Sequence, residues 1–313
     1  MKGIELAEAF FEECGRPMLE RDFPELLPML AAGLFGSGSE CFGYDDESSR
    51  DHDFEPGFCL LLPEEAVLDR RSEFLLERAY TKLPRSFRGF AREKLRPVGG
   101  ARHGVLRTAE LFQRLVGAPD GVLDWRQWLS IPEQALAEAT NGRLFFDNWG
   151  EVSRIRETLA CFPEDIRRKR LAGQLLLAAQ AGPYNYPRCL SHGEPEAAQL
   201  AVGEFVKSAS AAIFLINRRY RPYYKWVFRA LRELPLLAQL AEPLARLLTT
   251  PNDPHLAEEK TALIEQIAAA LIVELQAQGL TELDSRELER QAYAVNDGVR
   301  DSELRNLHIL AAV

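Results

Sequence analysis

Two acidic residues, Asp51 and Asp53, close the stretch GSGSECFGYDDESSRDHD that begins at Gly36. In an extended segment alternate side chains share a face, so these carboxylates converge while His52 points away. A convergent pair of carboxylates is the donor set a hard cation such as magnesium takes when phosphate oxygens complete its shell. Upstream, Gly36 and Ser37 follow an apolar run. A turn of such small residues lets backbone N–H groups approach phosphates closely. The combination predicts a triphosphate held with its α-phosphorus open to attack, by the two-metal logic of phosphoryl transfer. A calcium loop is excluded, because DDESSRDHDFE lacks the glycine at the sixth position and the closing glutamate that such a loop needs. A lone Asp-x-Asp is more often solvated surface, and the Gly-Ser strand end at this distance raises the odds of a site.

A second constellation is RRYRPYYKWVFRALR, residues 218–232, which holds six basic residues and no acid. On a helix, Arg218, Arg221, Lys225, Arg229 and Arg232 fall in one stripe, opposite Tyr220, Tyr224, Val227 and Leu231. Lys225, with Arg221, is expected to reach the triphosphate across a domain cleft, and Tyr223 and Trp226 to wall the base or acceptor. The bland reading, a solvated basic face with a core behind it, weighs equally. The run DIRRKR, residues 165–170, reads as the exposed face of a bundle helix, with contact to an anionic ligand as the alternative. Glu40, Asp45, Asp46 and Glu47 crowd the loop before the Asp-x-Asp and would either attract a cationic acceptor or be solvated acids. His103, His192, His255 and His308 are isolated, without ligand spacing, and read as bland. No phosphate loop of the Walker type, Rossmann glycine fingerprint or serine–histidine–aspartate set is present.

These residues need elements to carry them. Residues 3–20 read as an amphipathic helix, 31–35 as a strand running into the Gly/Ser turn, and 51–62 as a second strand with a Pro-Gly interruption. A helix over 64–82, a short strand over 105–108, helices over 109–117 and 132–140, and a strand GRLFFD follow. Beyond Gly150 the pattern turns helical: roughly 151–160, 163–181, 195–217, 222–248, 255–278 and 284–296. The expected fold class is therefore α+β, a small mixed sheet flanked by helices over residues 1–150, followed by an all-α helical bundle over 151–313.

The chain has 313 residues, 46% hydrophobic and 27% charged, which is ordinary for a globular protein with real cores. A net charge of −9 weighs against a protein whose main task is gripping a nucleic-acid backbone. Five scattered cysteines with no CxxC pair read as buried small residues in a reducing compartment. The start MKGIELAEAFFEE does not read as a signal peptide, and the apolar stretch 209–216 reads as too short to span a bilayer. A cytoplasmic location is expected, with no membrane partner.

Gly-Ser, a loop, then Asp-x-Asp resembles the signature of the nucleotidyltransferase superfamily that includes DNA polymerase β and kanamycin nucleotidyltransferase. The run from Gly36 to Asp53 looks like an uncharacterised bacterial family of that superfamily. So do GRLFFDNWGEVSRIRETLACFPEDIRRKRLA, GPYNYPRCL and RRYRPYYKW, which extend the resemblance to about Leu237. It implies a magnesium-dependent nucleotidyltransferase, with a helical bundle behind the catalytic domain, that moves a nucleoside monophosphate from a triphosphate to a hydroxyl. Asp51 and Asp53 map onto the metal and catalytic positions, Gly36 and Ser37 onto the nucleotide positions. The acceptor is expected to be a small molecule or a protein side chain, and a homodimer is admitted. Two departures stand out. Position 52 is His where an aliphatic residue is usual, and the strand GVLRT lacks the third carboxylate, leaving Glu110, Asp124, Asp147 or no residue in that role. The alternatives are a non-catalytic nucleotide-binding or regulatory protein and an antitoxin-like partner-binding module.

Overall fold

A computed structural model describes residues 1–47, 55–92 and 103–313. By its contacts the chain divides into two compact units, Met1–Leu123 with Gln134–Ala160, and Asp124–Glu133 with Cys161–Val313. The first is mixed α+β and the second is helical.

The first unit is built on a four-stranded sheet. Its strands are β1 (Ala31–Leu34), β2 (Cys59–Leu62), β5 (Gly104–Arg107) and β6 (Arg143–Asp147), in the spatial order β5-β2-β1-β6. A separate two-stranded ribbon pairs β3 (Ser86–Phe87) with β4 (Phe90–Ala91). AAGL and CLLL are buried along their whole length, which is why they read as continuous apolar runs and occupy the two central places. β1 runs antiparallel to both β2 and β6, and β2 parallel to β5. Phe10, Phe11, Leu19, Phe58, Leu60, Leu76 and Tyr80 pack in one cluster that joins the sheet to the helices Gly3–Phe10 and Arg70–Thr81. The predicted strand over 51–62 is thus confined, in the described residues, to Cys59–Leu62. The helix expected from residue 64 starts at Arg70 instead, where the Asp69 carboxylate accepts the Ser72 N–H at 2.8 Å and caps it.

Tyr80 fixes the entry to β2. Its hydroxyl donates to the Phe58 carbonyl at 2.8 Å and accepts the Phe58 N–H at 3.1 Å. Burial also pushes the phenol well above its ordinary range. The Phe58 carbonyl has a second donor, the Gly104 N–H at 2.9 Å, so removing the hydroxyl orphans only the Phe58 N–H. Tyr80→Phe is therefore expected to cost about 1–3 kcal/mol, the penalty for one unpaired buried amide. Urea unfolding with an unchanged slope measures it, and a loss below 0.5 kcal/mol, roughly the low end for any hydrogen bond, speaks against the assignment.

The second unit packs Glu164–Ala179, Pro195–Ile216 and Ala257–Ala277 with shorter helices. DIRRKR is not an exposed face. Arg167 and Lys169 are buried, Lys169 completely. The Lys169 ammonium donates to Asn296 Oδ1 at 2.8 Å and to the carbonyls of Leu307 at 2.7 Å and Arg305 at 3.2 Å, so a cation is kept inside by acceptors at the chain's C-terminal end. Desolvation holds its pKa below the usual lysine value. The helix Pro195–Ile216 is long and apolar enough to cross a membrane, which the sequence reading had not expected, although 67% of its apolar stretch is buried. None of the five cysteines is joined in a disulfide. Cys41 and Cys59 are buried as expected, whereas Cys161 is exposed.

Candidate functional site

Strand directions gather one end of the sheet. β1 leaves toward Gly36, while β2, β5 and β6 all enter there, because Gly33 pairs with Cys59 and Leu144, and Cys59 with Gly104. The residues at that end are the Gly36–Ser37 turn, the segment Glu55–Phe58, His103 and the pair Asn141-Gly142. Asp51 and Asp53 lie outside the described residues, and the described chain before β2 begins at Glu55.

The turn is held by a clasp built from Asn141, Gly142 and Arg156. Gly36 has φ +126°, a conformation open to glycine, and a side chain added there would meet nothing within 4 Å. The Asn141 amide brackets it: Gly36 N–H donates to Asn141 Oδ1 at 2.9 Å and Asn141 Nδ2 donates back to the Gly36 carbonyl at 2.8 Å. Next to it, Gly142 N–H donates to the Cys41 carbonyl at 2.8 Å. Arg156 completes the clasp from behind. Its guanidinium donates to the carbonyls of Asn141 at 2.7 Å and Thr140 at 2.9 Å, and lies 4.9 Å from the centre of the Phe35 ring. No acidic side chain pairs with it among the described residues, and burial pulls its pKa down to about 10. The Gly36 N–H is thus spent on Asn141, which leaves the exposed Ser37 as the side of the turn open to an anion. An asparagine 105 positions away gives no local signal of this pairing.

The acidic loop is less free than its sequence implied. Asp45 is 4% exposed, and its Oδ2 accepts the Gly3 N–H at 2.8 Å with Lys2 Nζ 3.5 Å from Oδ1, so it caps the first helix rather than facing solvent. Glu40 is buried as well. The candidates for a third carboxylate divide. Asp147 accepts the N–H groups of Gly150 and Ser153 at 2.8 and 2.7 Å, and Asp124 caps Trp125–Ser130 in the second unit through Gln127 N–H at 2.9 Å. Glu110 is exposed in the first turn of Thr108–Val116. β5 itself ends in a cation: Arg107 donates to Glu73 at 2.6 Å and to the carbonyls of Pro63 and Leu68, both at 2.8 Å. Among the described residues no group of three His, Cys, Asp or Glu side chains is placed to hold a metal ion.

His103 is not isolated. It is 6% exposed, its Nδ1 lies 3.4 Å from Glu55 Oε1, and its buried Nε2 has no hydrogen-bond partner among the described residues. Gly57 makes room for the ring, since a Cβ there would stand 2.6 Å from Nδ1.

In the second unit the basic stripe is not one helix. Residues 218–223 are irregular, with Arg218 at φ +53°, and regular structure resumes as a 3₁₀ turn Tyr224–Trp226 followed by Val227–Arg232. Arg218 pairs with Glu164 at 2.9 Å, and Arg221 stands 3.9 Å from Glu133 while donating to the Lys207 carbonyl at 3.2 Å. Arg221 is thus committed inside the unit. Lys225 is different, with its ammonium 5.9 Å from the Tyr223 ring centre and 5.3 Å from that of Trp226, and no carboxylate partner among the described residues. Tyr223 in turn lies against Tyr224, ring centres 4.3 Å apart.

Glu133 is mostly enclosed beside Arg170 and Arg221, and its pKa is raised by desolvation even though both cations pull it down. The folded chain therefore binds this proton more tightly than the unfolded one. Its stabilising effect is complete below the ordinary value of 4.5 and is lost as pH rises through the folded value. Glu133→Gln carries no such proton. The stability of the native chain relative to this variant is expected to fall as pH rises from 4.5 toward neutrality, nowhere more steeply than about 1.4 kcal/mol per pH unit, the limit for a single proton. Urea midpoints at several pH values give the comparison, and a flat or rising difference refutes it.

A family model described as a domain of unknown function (DUF4037) matches residues 128–227. That stretch is under a third of the chain. It contains Glu133, Asn141, Gly142, Arg156, Tyr223 and Lys225, and not Gly36, Ser37, Asp51 or Asp53. No curated protein and no solved structure matches the chain.

Proposed function

We propose that the chain is a magnesium-dependent nucleotidyltransferase that transfers a nucleoside monophosphate from a triphosphate to a hydroxyl of a small molecule or protein, in the cytoplasm. The observation that carries this reading is the turn at Gly36, an open, positive-φ glycine at the sheet end where β2 begins, with Asp51 and Asp53 ahead of that strand in sequence. Ser37 faces outward there and is the group offered to the phosphates. Two carboxylates suit a magnesium that keeps most of its shell for phosphate and water, and Asp51 and Asp53 are the residues that would hold it. When bound, the ion offsets phosphate charge and favours departure of pyrophosphate. Tyr223 and Lys225 are proposed to contact the nucleotide as an aromatic and cationic pair. The test is incubation with each of four labelled triphosphates and magnesium. Pyrophosphate release, lost on Asp51→Asn, supports the enzyme.

A second reading, a nucleotide-binding protein without turnover, is favoured by one observation: the strand expected to bring a third carboxylate ends in the buried cation Arg107. Triphosphate binding without release of pyrophosphate decides for it. Failure to bind any triphosphate disposes of both.

A further inference from the structure

Resting on the nucleotidyltransfer reading, we infer that His103, oriented by Glu55, is the general base that takes the proton from the attacking hydroxyl. Four observations converge on this. His103 immediately precedes β5, the strand beside β2, on the sheet end that holds the Gly36–Ser37 turn. Its slot is built for an imidazole, because Gly57 gives up the space a Cβ would take, 2.6 Å from Nδ1. The Glu55 carboxylate, 3.4 Å from Nδ1, accepts a hydrogen bond from Nδ1–H and so selects the tautomer with a lone pair on Nε2. That Nε2 is buried with no partner among the described residues. A core histidine kept only for packing has both ring nitrogens satisfied, and an orphaned one calls for a reason. The arrangement of nucleophile, base and base-orienting carboxylate is the general one for activating a hydroxyl. It also supplies a base where β5 offers no carboxylate.

The step balances without a further reagent. The acceptor hydroxyl oxygen forms a bond to the α-phosphorus, the bond from that phosphorus to the pyrophosphate oxygen breaks, and pyrophosphate leaves with that electron pair. The hydroxyl proton passes to His103 Nε2, and the resulting imidazolium, facing Glu55, returns it to solvent before the next turnover.

The test compares native chain, His103→Gln, Glu55→Gln and Asp53→Asn for pyrophosphate release with water, methanol or hydroxylamine as nucleophile. Hydroxylamine attacks as a neutral amine and needs no base beforehand. His103→Gln is expected to slow release to water and methanol by about 10²–10⁴-fold, the usual worth of a general base. Its rate with hydroxylamine stays within about tenfold of native, on the same reasoning, and triphosphate affinity is unchanged. Glu55→Gln shows the same pattern more weakly. Equal losses with all three nucleophiles, or none, overturn the assignment to His103 while Asp53→Asn still reports on the parent reading. A native chain that releases no pyrophosphate with any nucleophile overturns both. Independently of turnover, nitrogen NMR of histidine-labelled native chain at pH 8 should find His103 protonated at Nδ1 and bare at Nε2. A proton on Nε2 also refutes the proposal.

Discussion

Asp53→Asn is expected to lower pyrophosphate release from the preferred triphosphate by roughly 10³-fold, about 4 kcal/mol of transition-state stabilisation. Asparagine keeps the shape of the side chain and loses only its charge, so the change isolates the electrostatic part of cation binding. A divalent ion needs anionic oxygen to compete with water for it, and a site with two carboxylates that loses one retains half its fixed charge. The same loss is expected for Asp51→Asn, and the double variant should be little worse than either alone, since the pair acts as a unit. Raising magnesium should recover part of the rate in the single variants, because their defect is one of ion affinity as well as positioning. Asp45→Asn is the contrast. That acid accepts the Gly3 N–H and faces Lys2, and an asparagine oxygen still accepts the first of these. It is expected to change unfolding slightly and turnover not at all. Equal rates for Asp45→Asn and Asp53→Asn would sink the metal assignment.

Local patterns carried much of the fold. AAGL and the later half of DHDFEPGFCLLL are uniformly apolar and form the central strands, and GVLRT and GRLFFD form β5 and β6 near their expected places. What escaped was whatever depends on partners far along the chain. One local signal was also missed: the helix expected over 222–248 stops at Arg232, ahead of Pro235, and Leu237 sits at φ +62° before Ala241–Thr249 begins. DIRRKR has the composition of a solvated face, yet Lys169 is buried because Asn296, Arg305 and Leu307 come from more than 120 residues away to receive its ammonium. Trp125–Ser130 went unread because a single turn and a half leaves too short a pattern for periodicity to register. At the candidate site, glycine at position 36 was legible from its residue type, since a strand that ends in glycine and serine announces a turn. Asn141, Arg156 and the Glu55–His103 pair were not, as each is defined by a contact with a distant segment.

Gly142 is where that clasp is least tolerant. A side chain there would put Cβ 2.0 Å from the Leu34 carbonyl oxygen, 2.9 Å from its carbon and 2.8 Å from Phe35 Cα. These are backbone atoms of β1 and its exit, so no rotamer change relieves them. Gly142 also has φ +63°, which costs a residue with a Cβ about 1–2 kcal/mol. Overpacking adds roughly 1–3 kcal/mol when the neighbours must shift. Gly142→Ala is therefore expected to lose about 2–5 kcal/mol of stability. Gly150 separates the two contributions, for it has φ +76° and nothing within 4 Å of its missing Cβ. Gly150→Ala should lose only the conformational part, about 1–2 kcal/mol. The excess in Gly142→Ala then measures the contact with β1. Because the Gly142 N–H also holds the Cys41 carbonyl, that shift must pass into the loop between Gly36 and Cys41, and triphosphate affinity should fall along with stability. Gly150→Ala lies away from the clasp and should bind as the native chain does. Two variants of equal stability, measured by urea unfolding, would mean that β1 yields without cost and that Asn141-Gly142 does not hold the turn.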